Sequence, residues 1–455
     1  MSELKLDDEV RAWIESATGS RLVHANRIPG GGTREGWFVD VESGDETQQV
    51  FLRYSPVALP DKTGFHSLAT EAEVVRALGP TEVPVAGIIA IHPTREAVLM
   101  ERIEGDTWFS RIKDPDEQVR VAQDFIRSLA AQHRLDPGDL GISALGEVMR
   151  AREHALDRIA HVRWRGTSAE GIIDPLLEVT LDWLEANVPD YEGPVVLVQG
   201  DTGPGNFLHR QGRVTAVLDW ELCHFGDPMD DIAWLSLRTV QDTFTHLPDR
   251  LREYEELSGH RIDVDRVWYY RVFAEATMTT LNPPHGDTPG ETATRDIGNV
   301  IIYQQLHRRL WVEALNEAMK LGLERPQLPN SPEPTEWHEW YDNVLASLRT
   351  IAPRISDPLA AQWTRGVARA VKYLQELDIA GRQYADLELT EIAEVLGARP
   401  ESVVAGRAAL AEALDEGKLS NADYVQFMWN KVLRDDELMR TASGALHDRT
   451  WPPLV

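Results

Sequence analysis

The part of the sequence that most restricts how this chain can fold lies at residues 195–221. An apolar run, which we expect to form a strand, ends at Gln199 and Gly200. Asp201 then begins a short loop with two further glycines and a proline, and Asn206 follows five positions later. A second expected strand ends at Asp219. Because such loops depend on the conformational freedom of glycine, the pattern predicts a compact strand–loop–strand unit that brings its polar side chains together.

These polar residues have the spacing that phosphoryl transfer requires. The reaction needs a carboxylate that orients and deprotonates the attacking hydroxyl, and oxygen ligands for magnesium beside the nucleotide phosphates. An aspartate, an asparagine five positions later and an aspartate thirteen positions further match the catalytic and metal-binding loops of kinases. Asp201 is therefore a candidate catalytic base, and Asn206 and Asp219 are candidate Mg²⁺ ligands. The alternative for Asp201 is a loop aspartate that caps its own turn.

The complete set of motifs resembles the aminoglycoside phosphotransferase family, whose members are related to protein kinases. The residues that carry the resemblance are Gln199-Gly200-Asp201, Asn206, Asp219-Trp220-Glu221, Gly226-Asp227-Pro228 and Asp231. The resemblance implies that Asp227 and Asp231 support the catalytic loop. It also implies support from Gln199, which stands where the family has histidine, because a glutamine side chain both donates and accepts hydrogen bonds.

The resemblance extends through about residues 20–320 and includes a nucleotide site in the first hundred residues. It implies that Arg53, on a strand, grips the phosphates and that Glu71, on the next helix, holds Arg53 in place. Gly30, Gly31 and Gly32 fit the glycine-rich turn that covers the phosphates. The backbone of Glu101 and Ile103 would then contact the purine edge.

The expected fold class is α+β. The resemblance implies a two-lobed, protein-kinase-like fold with a small β-rich N-terminal lobe and a mainly helical C-terminal lobe. We place these lobes at residues 1–103 and 104–321. Four prolines in residues 322–337 indicate a stiff linker. Residues 338–455 are expected to form an all-helical domain, in which Trp363, Val367 and Leu374 share an apolar helix face.

Composition limits the partners that we expect. The chain has 455 residues, with 46 lysines and arginines against 74 aspartates and glutamates, a net charge of −28. Such an excess of acid opposes binding to nucleic acid. No signal-peptide pattern and no long apolar run occur, so we expect a cytoplasmic protein without a membrane span. Homo-oligomerisation through the helical C-terminal domain is a further hypothesis, with packing on the chain's own body as its alternative.

The resulting hypothesis is a Mg²⁺-dependent transfer of the γ-phosphoryl group of ATP, or of GTP, to a hydroxyl of a small molecule. A metabolic hydroxyl compound is preferred over an antibiotic as the acceptor, and a hydroxyacyl thioester of coenzyme A and an aminoglycoside are the named alternatives. A nucleotide-binding regulator without catalysis is the competing hypothesis. A literal His285-Gly286-Asp287 also occurs, but Thr292 stands where the motif needs asparagine, so we expect no catalytic loop there.

Overall fold

The computed structural model describes residues 6–28, 34–56, 66–168, 170–281, 296–329 and 332–455. The chain forms two compact units. The first contains Met1–Arg158, Val188–Tyr270 and Trp451–Val455, and the second contains Ile159–Asn187 and Arg271–Thr450. The four segments expected from the sequence, at 1–103, 104–321, 322–337 and 338–455, stay a prediction.

The first unit begins with an antiparallel five-stranded sheet and two helices. Its strands are β1 (Arg21–Arg27), β2 (Glu35–Ser43), β3 (Glu46–Tyr54), β4 (Ile88–Ile91) and β5 (Ala97–Glu101), with helices α1 (Asp8–Thr18) and α2 (Leu68–Leu78). The strand order is β1-β2-β3-β5-β4. The β2–β3 hairpin is in continuous register from Glu35 opposite Tyr54 to Ser43 opposite Glu46.

The two faces of this sheet have different environments because side chains alternate along each strand. One face packs on α1, where Val10 and Ile14 join Val39, Val50 and Leu52 in a buried apolar cluster. On the other face, Leu68 and Ala72 of α2 pack against Val98 of β5. Arg53 faces the α2 side, because it alternates with the buried Leu52 and Tyr54.

The rest of the first unit contains two short antiparallel pairs of strands together with helices. Its elements are helix α3 (Pro115–His133), strands β6 (Val196–Val198), β7 (Phe207–Arg210), β8 (Arg213–Val217) and β9 (His224–Gly226), and helices α6 (Pro228–Gln241) and α7 (Leu247–Ser258). β6 pairs with β9, and β7 pairs with β8. This is the strand–loop–strand arrangement expected from residues 195–221.

The second unit is helical in its described residues. Its elements are α5 (Pro175–Ala186), α9 (Ile297–Ala318), α10 (His338–Ile351), α11 (Pro358–Leu396), α12 (Val403–Asp415), α13 (Asn421–Leu438) and α14 (Arg440–Ser443). Two further helices, α4 (Ala151–Gly166) and α8 (Val264–Leu281), contribute residues to both units. Trp311 of α9 is fully buried and donates its indole N–H to Thr180 Oγ1 of α5 at 3.1 Å.

The expected fold class is confirmed: a small β-rich part is followed by a mainly helical part and a helical C-terminal region. In the apolar face predicted from Trp363 to Leu374, Val367 and Leu374 are 43% and 51% exposed. The 39-residue α11 instead buries Ala380, Tyr384 and Ile392, further along its length. Over the described part of the chain, no helix combines the length and the apolar character needed to cross a membrane.

Candidate active site

The loop from residue 199 to residue 206 connects β6 to β7 and depends on its glycines. Gly200 has a φ of +83°, and a Cβ added there would lie 2.4 Å from the carbonyl oxygen of Leu222. Gly203 has a φ of +140°, and its added Cβ would lie 2.6 Å from the Cβ of Arg238. A side chain at either position would therefore strain the backbone and collide with a neighbour, which explains why the loop is rich in glycine.

Asp231, in the first turn of α6, accepts hydrogen bonds from the backbone of this loop. Its carboxylate is fully buried and accepts hydrogen bonds from the backbone N–H groups of Gln199, at 2.9 Å, and Gly200, at 3.0 Å. The hydroxyl of Thr202 and the side-chain amide of Gln132 also donate to it, and His133 Nε2 lies 3.0 Å from Oδ2. Because both oxygens of this carboxylate are hydrogen-bonded, the network stabilises a single conformation of the loop.

Gln199 joins the two halves of the motif. Its Oε1 accepts from the backbone N–H of Asp201 at 2.9 Å and from the hydroxyl of Thr202 at 3.0 Å. Its Nε2 donates to the carbonyls of Leu218 and Asp219, at 2.9 and 2.7 Å. One buried side chain thus ties the loop of Asp201 to the strand end of Asp219. The use of both the donor and the acceptor of an amide is the geometry expected for glutamine at this position.

Asp201 lies at the surface of the loop, where its side chain is 19% exposed. Both of its oxygens contact Arg238 of α6: Nε donates to Oδ1 at 2.6 Å, and Nη2 donates to Oδ2. Asn206 Nδ2 also donates to Oδ2, at 2.6 Å, and to the Asp201 carbonyl, at 2.8 Å. Burial raises the pKa of the Asp201 carboxyl, and the Arg238 guanidinium opposes that rise.

Asn206 directly precedes β7 and Asp219 lies two positions after β8. The two segments are joined by a backbone hydrogen bond from the N–H of Leu218 to the carbonyl of Asn206 at 2.8 Å. Asp219 has a φ of +55°, in the left-handed region that few non-glycine residues adopt. Its side chain is 37% exposed, and Oδ1 accepts from Arg53 Nη1 at 2.8 Å. Backbone strain of this kind is frequent at residues whose side chains take part in catalysis or ligand binding.

Five charged side chains, here called the ion-pair cluster, connect the sheet to this motif: Arg34, Arg53, Glu71, Asp219 and Glu221. Arg53 Nη1 lies 3.1 Å from Glu71 Oε2, and Nη2 lies 3.2 Å from Glu221 Oε2. Arg34 pairs with Glu71 and lies 3.2 Å from Glu221. The predicted pair of Arg53 and Glu71 is therefore present, within a larger network.

Two arginines of the site were missed in the sequence analysis. Arg34 is only 4% exposed, and besides its two carboxylates it donates to the carbonyl of His66. Arg238 contacts Asp201 from 37 positions further along the chain. The position of Arg34, directly after the glycine-rich segment, was a weak signal. Nothing in local spacing indicates Arg238, since arginines in the last turn of a helix are common.

The other predicted residues occupy varied positions. Asp227 is the N-cap of α6, accepting from the N–H of Met229 at 2.8 Å, and pairs with Arg266 at 2.9 Å. Glu101 ends β5, and its N–H donates to the carbonyl of Gly87 at 2.8 Å. Ile103 is half-buried just beyond it. Gly30, Gly31 and Gly32 lie outside the described residues, as does His285-Gly286-Asp287.

Burial sets the direction in which the pKa values of three of these ionisable groups are shifted. It raises the pKa of Glu221, helped by the nearby Asp219 and opposed by Arg53 and Arg34. It raises the pKa of Asp227 to about 6 against the opposing charge of Arg266. It lowers the pKa of the Arg34 guanidinium, against the attraction of Glu221.

Comparison with known families agrees with this geometry. The family model described as the phosphotransferase enzyme family matches residues 24–265, more than half of the chain. This chain belongs to the phosphotransferase enzyme family. The match includes every site residue discussed above except Arg266, which lies one position beyond its end. The protein is accordingly a phosphotransferase of the kinase type.

The phosphotransferase is also similar to parts of longer curated proteins. It is 32% identical over 125 residues to acyl-CoA dehydrogenase family member 11 of Rattus norvegicus, which is 27% of this chain and 16% of that protein. It is 26% identical over 203 residues to acyl-CoA dehydrogenase family member 10 of Mus musculus, which is 42% of this chain and 18% of that protein. The chain spans less than a fifth of the length of either relative.

Two solved structures are among those similar to this chain. One is the ternary complex of streptomycin, ATP and APH(2″)-IIa, with a TM-score of 0.47, 14% identity, and coverage of 64% of this chain and 94% of that chain. The other is the macrolide 2′-phosphotransferase of Brachybacterium faecium, with a TM-score of 0.43, 20% identity, and coverage of 62% and 100%.

The chemistry of the donors at the end of the motif fits a magnesium ion. Asp219 offers a partly exposed carboxylate. Asn206 uses its amide nitrogen for Asp201, which leaves its amide oxygen as an acceptor. Mg²⁺ in such enzymes is bound by one or two protein oxygens together with substrate phosphates and water, rather than by a cage of side chains. In the described residues, no cluster of three or more His, Cys, Asp or Glu side chains is arranged to bind a metal.

Proposed function

We propose that this phosphotransferase moves the γ-phosphoryl group of ATP to a hydroxyl group of a small molecule, with Mg²⁺ as a cofactor. The observation that carries the proposal is the hydrogen-bonded connection between the side chains on the sheet and the side chains of the loop at residues 199–206. Arg53 reaches Asp219 from the sheet, and Gln199 ties Asp219 to the loop that bears Asp201. Phosphate-binding and hydroxyl-binding groups are therefore held in one hydrogen-bonded network, as in-line transfer between two bound substrates requires.

The nucleotide would bind beside the sheet face that bears Arg53. Arg53 always carries its charge and can bind phosphate oxygens through two N–H groups. The ion-pair cluster holds it through Glu71 and Glu221, so its position is set before the nucleotide arrives. Phe51 and Met100 lie opposite each other on adjacent strands of the same face, and both are only half-buried. They offer an apolar surface for the base, and the backbone of Glu101 and Ile103 offers polar groups for its edge.

In the transfer step, the acceptor oxygen forms a bond to the γ-phosphorus while the bond from that phosphorus to the ADP oxygen breaks. The acceptor proton passes to Asp201 and then to solvent, and ADP is the leaving group. Asp201 orients the hydroxyl from a loop that Asp231 and Gln199 hold rigid. A magnesium ion held by Asn206 and Asp219 would neutralise charge on the phosphates.

The acceptor class that we favour is a hydroxyacyl thioester of coenzyme A. The support is the naming of the curated relatives: those reported above are called acyl-CoA dehydrogenase family members, and each shares a segment with this phosphotransferase within a much longer chain. A kinase segment within such a protein would act on a related acyl thioester. An aminoglycoside acceptor, GTP as donor, and nucleotide binding without transfer are the alternatives that the experiment separates. A cytoplasmic location and assembly through residues 338–455 stay predictions.

A screen for phosphorylated products tests this proposal. The purified chain is incubated with Mg²⁺, with ATP or GTP, and with three acceptor pools: hydroxyacyl-coenzyme A thioesters, aminoglycosides, and simple alcohols and sugars. Mass spectrometry then detects any product heavier by one phosphoryl group. We expect a product in the thioester pool with wild type, and none with Asp201→Asn or Asp219→Asn.

The matched control is Asp249→Asn, the same chemical change at a carboxylate that is 45% exposed and pairs with Arg252 of its own helix and with His246, the residue before that helix. It should keep wild-type activity. A product from the aminoglycoside pool alone would replace the acceptor class but keep the reaction. Thermal stabilisation by ATP and Mg²⁺ with no product from any pool, and no ATP hydrolysis, would favour the nucleotide-binding regulator.

A further inference from the structure

Arg238 is placed against Asp201 by features of both the helix and the loop. It lies in the last turn of α6, the helix whose first turn provides Asp231. The absence of a side chain at Gly203 lets the stem of Arg238 approach the loop, because a Cβ on that glycine would be 2.6 Å from the Arg238 Cβ. Arg238 Nη1 is 3.2 Å from Gln241 Oε1, which holds the far side of the guanidinium.

The hydrogen bonds to Asp201 leave its two oxygens unequal. A carboxylate has about four lone-pair positions, two on each oxygen. Oδ2 accepts from Arg238 Nη2 and from Asn206 Nδ2, which fills both of its positions. Among the residues that the structure describes, Oδ1 accepts from Arg238 Nε alone, at 2.6 Å. One acceptor position is therefore left, and it is on Oδ1.

We propose that Arg238 is the positioning residue of the phosphoryl-transfer reaction, holding Asp201 so that Oδ1 receives the hydrogen bond of the acceptor hydroxyl. This inference rests on the proposed function, in which Asp201 contacts that hydroxyl. Two parallel N–H···O bonds fix both the position and the plane of a carboxylate, whereas one bond leaves it free to rotate. Arg238 thereby keeps the open position of Oδ1 pointing in one direction.

The same geometry explains why the residue at position 238 should be arginine. Lysine would bring a positive charge but one nitrogen, which cannot bind both oxygens in a planar fork. Glutamine would bring one donor without charge. The orientation of Asp201 should therefore worsen from arginine to lysine to glutamine, while the groups that bind the nucleotide stay in place. Arg238 pairs with Asp201, whereas Arg53 pairs with Glu71, Asp219 and Glu221.

The test uses the full chain with Arg238→Gln and Arg238→Lys. The matched control is Arg158→Gln, since Arg158 is as exposed as Arg238, at 21%, and also pairs with a carboxylate at α6, that of Asp230. The assays measure ATP hydrolysis, with water as the acceptor, and transfer to hydroxyacyl-coenzyme A thioesters, both with Mg²⁺. Thermal unfolding with and without ATP checks that each variant is folded.

We expect Arg238→Gln to lower kcat about 100-fold, the loss typical of a misplaced reacting group, with an unchanged KM for ATP. Arg238→Lys should recover part of this loss, and Arg158→Gln should keep the wild-type kcat. A wild-type kcat in Arg238→Gln, or in Arg238→Lys if the glutamine variant does not fold, would overturn the inference. An equal loss in Arg158→Gln, or a matching rise in the KM for ATP, would also overturn it, because either result indicates a general structural effect.

The two proposals fail in different ways. A wild-type chain that neither hydrolyses ATP nor phosphorylates a compound of any of the three acceptor pools would refute the proposed function and this inference with it. An active wild type with an equally active Arg238→Gln would refute the role of Arg238 alone.

Discussion

Replacing Asp231 of α6 by asparagine removes the buried charge to which the catalytic loop is hydrogen-bonded, while keeping the shape of the side chain. In the native protein, Oδ2 accepts from Gln199 N–H and Gln132 Nε2, and Oδ1 accepts from Gly200 N–H and the Thr202 hydroxyl. An asparagine oxygen can keep only one of these two sets. If it keeps the Oδ2 set, the new amide group faces the N–H of Gly200, and two hydrogen bonds are lost.

The magnitude follows from these contacts. A hydrogen bond to a charged acceptor contributes about 1.5–3 kcal/mol, so two of them contribute about 3–6 kcal/mol. The Thr202 hydroxyl can rotate and accept from the new amide, which favours the lower half of this range. We therefore expect the Asp231→Asn variant to lose about 3–4 kcal/mol of unfolding free energy, and to lose transfer activity as the loop changes conformation.

Urea unfolding followed by tryptophan fluorescence measures the loss. Asp249→Asn is the control, since a surface ion pair contributes about 1 kcal/mol or less. If the two variants lose the same small amount, the loop does not depend on the hydrogen bonds of Asp231. The account of how the loop is held rigid would then be wrong.

Three further results are expected. Glu71→Gln leaves two arginines without their shared carboxylate, so it should lower the unfolding free energy measured in urea by about 2–4 kcal/mol. Glu73→Gln on the same helix should lower it by less than about 1 kcal/mol. Equal losses in the two variants would contradict the ion-pair cluster. Gly203→Ala should lower kcat at least about tenfold, because a small displacement of catalytic groups has large effects, and full activity would show that the loop tolerates a side chain. Since the folded pKa of Asp227 is raised to about 6 from an ordinary 3.8, its contribution to stability is present at low pH and is lost as the pH rises through 6. The unfolding free energy of wild type relative to Asp227→Asn should thus fall by about 2 kcal/mol between pH 4 and pH 7, and a constant difference would refute that shift.

The fold class was predictable because its signals are local. Alternating strands with turn residues and helices with caps can be recognised within about ten to twenty residues. Asp227, to which the resemblance assigned only a supporting role, is the N-cap of α6 and precedes a proline in the first turn. The exposed Val367 and Leu374 show the limit of this approach: helical spacing identifies an apolar face, but another element must be present to cover it.

Part of the candidate site was also predictable. The loop that carries Asp201 and Asn206 and the strand end at Asp219 are encoded by glycines, by turn residues and by spacing along a single stretch of chain. The pair of Arg53 and Glu71 was expected from the family resemblance, and the two side chains are 3.1 Å apart in the structure.

Only the tertiary structure decided which charges meet at this site. Arg34 pairs with Glu221 across 187 positions of sequence, and Arg238 pairs with Asp201 across 37. Such pairs depend on how the sheet, the loop and α6 pack, and many arginines in the sequence have the same local surroundings. Sequence by itself determined the chemical groups and the short loop that presents them, because backbone conformation there is a local property. Packing selected the partners of those groups, because a buried charge is stable only where the fold brings an opposite charge to it.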